Sequence, residues 1–185
     1  MTMTRNSFGV RQLVLTAMLT AIVVVLQILG NFIQITPSLS ISLVLVPVVI
    51  GAALLGPLVG LWLGFAFGMT VLLAHGADFF LAYSPAATIA TVLVKGAAAG
   101  LCAGLVYRAL EKKNQYLAVI VAAVVCPSVN TGIFILAALL FFREIFAVAL
   151  PVFVNYALEV AVNLLLAPTI LRLVNLGRSM WSDKA

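Results

Sequence analysis

The chain has 185 residues, of which 65% are hydrophobic and only 8% are charged, and its formal net charge is +5. Ten basic and five acidic side chains are too few to cover the surface of a soluble protein of 19.5 kDa, because soluble domains are about one quarter charged. The composition therefore excludes an ordinary soluble domain and predicts an all-α integral membrane protein. In this setting the positive charge does not indicate a nucleic-acid partner.

Six apolar segments follow one another along the chain, separated by turn-forming or charged residues. A spanning helix needs about 20 apolar residues, so the segments predict a bundle of six transmembrane helices in a single membrane domain, residues 1–185. The first segment is too long for a signal-peptide core and is expected to be retained. The predicted spans are residues 11–33, 41–55, 57–74, 85–109, 116–142 and 147–175.

The basic residues beside the spans predict the orientation of the bundle, because loops rich in Lys and Arg stay in the cytoplasm. With six spans, eight of the ten basic residues lie on the side that holds the two termini, and Arg143 lies on the opposite side. Both termini are therefore predicted to be cytoplasmic. The same basic residues are expected to contact the anionic headgroups of membrane lipids.

Small residues recur every four positions in three of the segments. Residues four apart share one face of a helix, and a face without large side chains lets another helix approach closely. The glycines either pack helices inside the bundle or provide part of a sliding surface for another protein. Ala17 and Ala21 form a similar pair near the cytoplasmic end of the first segment. The glycine stripes are Gly56, Gly60, Gly64 and Gly68 in the third segment and Gly96, Gly100 and Gly104 in the fourth.

Polar side chains lie at one depth in three of the predicted helices. Lys95 in the fourth segment and Glu159 in the sixth lie roughly 15–18 Å below the outer ends of these segments, at 1.5 Å per residue. Asn130, followed by Thr131, lies at the same depth in the fifth segment. An ionisable residue inside a membrane costs about 2.5–3.5 kcal/mol on insertion scales, so it needs a partner or a function.

The sixth segment carries a polar stripe, because Asn155, Glu159 and Asn163 repeat every four residues. Such a stripe cannot face lipid, so it faces the bundle interior or a cavity open to the outer side. Two interpretations stay open: a structural ion pair between Lys95 and Glu159, and a polar pocket for a ligand. We favour the pocket, because amides and opposite charges spread along a helix exceed what one ion pair needs.

Motifs for catalysis or cofactor binding are absent from the sequence. There is no phosphate-binding GxxxxGKS/T loop and no GxGxxG after a strand, so any ATP-dependent step must be carried out by another chain. His75 has no second histidine with which to hold a metal, and we interpret it as a solvated or lid residue. Cys102 and Cys126 lie in apolar segments and predict neither a disulfide nor a metal site. We therefore expect no enzyme activity and no cofactor in this chain.

Taken in order, these features resemble the substrate-binding S component of an energy-coupling-factor (ECF) vitamin transporter. The similarity covers nearly the whole chain: six spans in 185 residues, a long first outer loop, and the AxxxA pair Ala17 and Ala21. Residues 46–51, which run on into Leu55-Gly56-Pro57, are similar to the region between the second and third helices of this superfamily.

In that family the first helices, including the AxxxA pair, meet an integral coupling (T) subunit that joins two cytoplasmic ATPase subunits. The resemblance therefore implies that Ala17 and Ala21 face the coupling subunit, in the plasma membrane of a prokaryote. It also implies a vitamin site in the outer half of the bundle. The residues that would line this site are Lys95, Asn130, Thr131, Asn155, Glu159 and Asn163.

The residues at the predicted pocket also bear on which vitamin is bound. Residues 128–131, together with Asn155 and Glu159, are similar to the pantothenate-type branch, and Lys95 suits a carboxylate. Riboflavin, biotin, folate and other precursors stay open. Two alternatives come from other classes: a self-sufficient homo-oligomeric carrier or channel that associates through the glycine stripes, and a membrane scaffold without a ligand.

Overall fold

The computed structural model describes residues 9–32, 34–36, 39–40, 43–141 and 149–182. Within these residues six longer helices lie over the six apolar segments, and a seventh helix of a single turn precedes the fourth segment. The helices are α1 (Val10–Phe32), α2 (Leu45–Leu55), α3 (Pro57–Leu73), α4 (Asp78–Leu81), α5 (Pro85–Leu110), α6 (Gln115–Phe141) and α7 (Ala149–Ser182).

Four of the described helices, α1, α5, α6 and α7, are long and apolar enough to cross a membrane. The other two long elements are shorter, with 11 residues in α2 and 17 in α3. At 1.5 Å per residue, α2 extends about 17 Å, which is shorter than a hydrocarbon core of about 30 Å. The four long apolar helices indicate a multi-pass membrane protein of helical architecture.

The segment boundaries differ from the sequence prediction at a few places. The last helix continues to Ser182, beyond the predicted end at residue 175. The connection between α1 and α2 contains a short antiparallel pair that the sequence analysis does not predict, β1 (Gln34–Thr36) and β2 (Leu39–Ser40). Residues 33, 41–42, 142 and 147–148, which fall at the ends of predicted spans, lie outside the described residues.

The turn between α2 and α3 depends on a glycine followed by a proline. Gly56 has a φ angle of 109°, which is a conformation that side chains disfavour. Pro57 then starts α3, where its missing N–H is not needed. The two helices therefore form a tight hairpin.

The helix α2 lies at the centre of the bundle, where it contacts α1, α3, α5, α6 and α7. Val48 and Val49 of α2 are fully buried, as are Leu63 of α3 and Val119 of α6. In contrast, much of α1 exposes apolar side chains, among them Met18 at 58%. Because other helices enclose α2, little of this short helix is exposed to lipid.

The two glycine stripes face each other between α3 and α5. A Cβ atom added to Gly64 would collide with the carbonyl oxygen of Gly96, and one added to Gly100 would collide with that of Gly60. A Cβ atom on Gly68 would lie 2.8 Å from the carbonyl oxygen of Val92. The stripes thus bring two backbones together, which favours their interpretation as internal packing over that of a surface for another protein.

Replacing Gly64 by alanine should lower the thermal stability of the protein in detergent. The new Cβ would collide with the backbone of α5, and such overpacking costs about 1–3 kcal/mol. Gly132→Ala is the matched control, because nothing lies within 4 Å of a Cβ atom there and alanine is the better helix former by about 1 kcal/mol. Equal melting temperatures of the two variants would contradict the close packing of α3 on α5.

Candidate functional site

Three helices bring the predicted polar residues to one level, which we call the polar level. Lys95 lies ten residues from the start of α5, Asn130 eleven residues from the end of α6, and Glu159 ten residues from the start of α7. These helix ends belong to the end of the bundle that carries α4, so all three residues lie about 15 Å from that end. Thr131, next to Asn130, is also buried.

The polar stripe of α7 faces the bundle and not lipid. Glu159 is only 4% exposed and Asn163 only 1%. The Asn155 side-chain amide Nδ2 donates to Oε1 of Glu159 at 3.2 Å, and the amide of Asn163 donates to the backbone carbonyl of Glu159 at 2.9 Å. The two asparagines therefore hold the glutamate from both sides along the helix.

Four buried oxygens at the polar level have no hydrogen-bond donor among the described residues. Burying an acceptor without a donor costs roughly 1–3 kcal/mol, and most buried polar atoms in proteins are paired. Four such atoms on two neighbouring helices make this level the candidate site for a polar ligand. They are Oδ1 of Asn130, Oδ1 of Asn155, Oε2 of Glu159 and Oδ1 of Asn163.

Lys95 contacts an aromatic ring and not the glutamate. Its Nζ atom lies 5.1 Å from the centre of the Phe134 ring on α6, within the range of a cation–π interaction. Phe134 in turn packs edge-on against Phe80 of α4, with ring centres 5.2 Å apart. Lys95 and Glu159 are near enough to interact electrostatically, but these two described residues form no direct ion pair. The direct pair that the sequence analysis considered is therefore not formed.

The structure adds two aromatic residues and a hydroxyl pair to the predicted polar residues. Phe134 follows Asn130 by one helical turn and so shares its face of α6. Ser128 Oγ and the hydroxyl of Tyr156 are 3.0 Å apart and link α6 to α7. The four-residue spacing from Asn130 could have indicated Phe134, whereas no pattern in the sequence indicates Phe80.

The turn between α3 and α4 contains the single histidine. His75 has a φ angle of 60°, and its Nδ1 lies 2.9 Å from Oδ2 of Asp78, with both side chains largely exposed. This exposure agrees with a solvated residue. In the part of the chain that the structure describes, no three His, Cys, Asp or Glu side chains are grouped as a metal site would require.

A second surface lies between α1 and α3, which we call the α1–α3 groove. It has a volume of about 790 Å³, and Ala17 and Ala21 line it from α1. Trp62 lines it from α3, and its indole N–H donates to the Thr20 hydroxyl at 3.2 Å. None of the residues at the polar level lines this groove, so the two predicted functional surfaces are separate.

Comparison with known proteins identifies a family for this chain. The family described as "ECF transporter, substrate-specific component" matches residues 11–171, which is most of the chain. No curated protein and no solved structure matches. The resemblance found in the sequence is therefore confirmed: the chain belongs to the family of substrate-specific components of ECF transporters.

Proposed function

We propose that this chain is the substrate-binding subunit of an ECF-type, ATP-driven importer of a small water-soluble vitamin or vitamin precursor. The observation that carries the proposal is the polar level, where Lys95 and four unpaired oxygens from α6 and α7 lie deep inside an apolar bundle. In a membrane protein such groups are costly unless they bind something polar. Lys95, Asn130, Thr131, Asn155, Glu159 and Asn163 are the proposed ligand-binding residues.

The proposed topology has six transmembrane helices in one domain, with both termini in the cytoplasm of a prokaryotic cell. The distribution of Lys and Arg supports this orientation. The short helix α2 is compatible with six spans, because eight of its eleven residues are buried against other helices. A helix surrounded by protein does not need to match the full thickness of the lipid.

The proposed partners are an integral coupling subunit and two cytoplasmic ATPase subunits. Ala17 and Ala21 are the proposed contacts for the coupling subunit, which is supported by their exposure on the α1–α3 groove. Small side chains at four-residue spacing let a partner helix approach closely. The partner ATPases would hydrolyse the ATP, since this chain has no phosphate-binding loop.

Pantothenate is our first candidate for the ligand. Lys95 is suited to a carboxylate, because an ammonium group forms a strong charge-assisted hydrogen bond with it. The lysine does not form an ion pair with Glu159 and so has its donors available for a ligand. Biotin, folate and riboflavin are the alternatives.

The function is tested by uptake of radiolabelled pantothenate, biotin, folate and riboflavin into liposomes with and without the coupling and ATPase subunits. We expect one of these compounds to bind to the chain alone but to enter only when all subunits and ATP are present. Uptake by the chain alone would support a self-sufficient carrier. Absence of any bound small molecule in native mass spectrometry would support a scaffold.

Enlarging the proposed coupling contact should uncouple binding from transport. Ala17→Leu or Ala21→Leu would hold a partner helix away from α1, while the polar level lies elsewhere in the bundle. We expect the ligand affinity to stay within about threefold of wild type, because a surface change away from the site costs less than about 0.5 kcal/mol. We expect uptake to be lost. Ala90→Leu, an equal enlargement at an exposed alanine of α5, is the control. Parallel loss of binding and uptake would place Ala17 and Ala21 in the fold or the pocket.

Removing the charge of Lys95 should weaken ligand binding and leave the fold intact. Lys95→Met removes a charge-assisted hydrogen bond, which corresponds to about 1.5–3 kcal/mol or a tenfold to hundredfold loss of affinity. A double-mutant cycle of Lys95→Met with Glu159→Gln, measured by melting temperature and by ligand affinity, separates a role of Lys95 in ligand binding from a role in neutralising Glu159. If Lys95 only neutralises Glu159, Lys95→Met will destabilise the protein and the double variant will restore both stability and affinity.

A further inference from the structure

The chemistry of the polar level predicts which groups the ligand carries in addition to a carboxylate. We propose that the site selects an acid that carries at least two further O–H or N–H groups, with its anionic end at Lys95 and its donors at the oxygens of Asn130, Glu159 and Asn163. This inference rests on the proposed function, because it assumes that the polar level is the ligand site.

The polar stripe of α7 presents acceptors to its surroundings. The backbone carbonyl of Glu159 can only accept hydrogen bonds, and so can Oε1 when the carboxylate is ionised. The amides of Asn155 and Asn163 must therefore turn their nitrogen atoms toward Glu159, as the bonds of 3.2 and 2.9 Å show. This requirement fixes the orientation of both amides and leaves their oxygens, with Oε2 of Glu159, as the unpaired atoms.

Among the described residues, no group donates a hydrogen bond to these oxygens. Lys95 has three N–H donors, but its ammonium group lies over the Phe134 ring. Ser128 uses its hydroxyl with Tyr156 and with the backbone carbonyl of Val124, at 3.0 and 2.7 Å. A bound ligand is therefore the proposed source of these donors.

The Lys95 ammonium and the Asn130 amide lie along one face of α6. Asn130 and Phe134 are four residues apart, which is about 6 Å along the helix axis. Lys95 lies over the Phe134 ring, so the Asn130 amide lies about one turn further from the α4 end. A ligand along this face would meet the cation at Phe134 and, beside it, the unpaired oxygens of Asn130 and α7. Its anion and its donors must accordingly lie on different parts of the molecule.

This arrangement excludes two kinds of small molecule. A cation without an acidic group would leave the Lys95 ammonium, which forms no direct ion pair with Glu159, without an anionic partner from the ligand. An acid without donors would satisfy Lys95 but leave the oxygens of α6 and α7 buried and unpaired. Sites built to form hydrogen bonds discriminate strongly against analogues that lack the matching group, by factors of about 10⁴ in favourable cases.

The experiment compares acids with and without donors by calorimetric titration of the purified chain. Pantothenate has two hydroxyls and an amide N–H, whereas N-(3,3-dimethylbutanoyl)-β-alanine has the same carboxylate and amide without the hydroxyls. Biotin and folate are further acids with N–H donors, nicotinate is an acid without donors, and thiamine is a cation.

We expect at least one donor-bearing acid to bind and neither nicotinate nor thiamine to bind. If pantothenate is the acid that binds, its analogue should bind at least about tenfold more weakly.

Three results would overturn the inference: tight binding of nicotinate or thiamine, equal binding of pantothenate and its analogue, or failure of every acid in the panel to bind. Native mass spectrometry gives an independent check, since a retained metabolite with fewer than two donors would also overturn it. A different experiment tests the proposed function: it depends on uptake in the presence of the partner subunits and not on the chemistry of the ligand. The two proposals can therefore fail independently.

Variants locate the selection at α7. Glu159→Gln and Asn163→Leu should each lower the affinity for the donor-bearing acid by about tenfold or more. Each should also reduce the ratio of this affinity to the affinity for nicotinate. The melting temperature of the unliganded protein should stay at or above the wild-type value. Thr70→Val on α3 is the control, because the Thr70 hydroxyl already donates to the backbone carbonyl of Ala66 at 2.8 Å and α3 carries none of the residues of the polar level, and it should leave the selectivity unchanged. Unchanged selectivity in Glu159→Gln and Asn163→Leu would contradict the assignment of the donors to α7.

Discussion

The close contact between α3 and α5 sets the geometry of the bundle. Glycines on both helices place backbone against backbone, so the carbonyl oxygens of Gly60 and Gly96 occupy the space that side chains would need. This contact also fixes the rotation of α5 about its own axis. Lys95 is next to Gly96 and points about 100° away from the glycine face, which directs it toward α6 and its contact with Phe134. The position of the cation thus follows from a packing contact on another face of the same helix.

In the ligand site proposed at the polar level, a low-dielectric environment would turn hydrogen bonding into specificity. In water an amide or carboxylate oxygen without a protein partner is solvated at little cost, but in a bundle surrounded by lipid it is not. Glu159 has one oxygen paired with Asn155 and one without a donor. A site prepared in this way gains most from a ligand whose donors match the unpaired acceptors and loses most from a ligand that lacks them.

The two functional surfaces proposed here have opposite physical character. The polar level is buried between α5, α6 and α7, whereas Ala17 and Ala21 are exposed on a groove with apolar walls. Such a division suits a subunit that binds a polar molecule inside the bundle and a membrane partner outside it. The enclosed helix α2 lies between the two regions, since it contacts both α1 and the helices of the polar level. The helix α3 connects them more directly, because it lines the groove with Trp62 and packs along α5, which carries Lys95.

The sequence by itself determined the membrane class, the positions of the long helices and the family, because hydropathy, helix periodicity and motif order are local properties of the chain. It also placed Lys95, Asn130 and Glu159 at one depth, which depends only on counting residues from the helix ends. Only the tertiary structure decided that the glycine stripes face each other and that Lys95 contacts Phe134 instead of pairing with Glu159. It also showed that α2 is enclosed at the centre of the bundle. The physical reason is that periodicity records which residues share a face of one helix, whereas the partner of that face depends on how neighbouring helices rotate and pack.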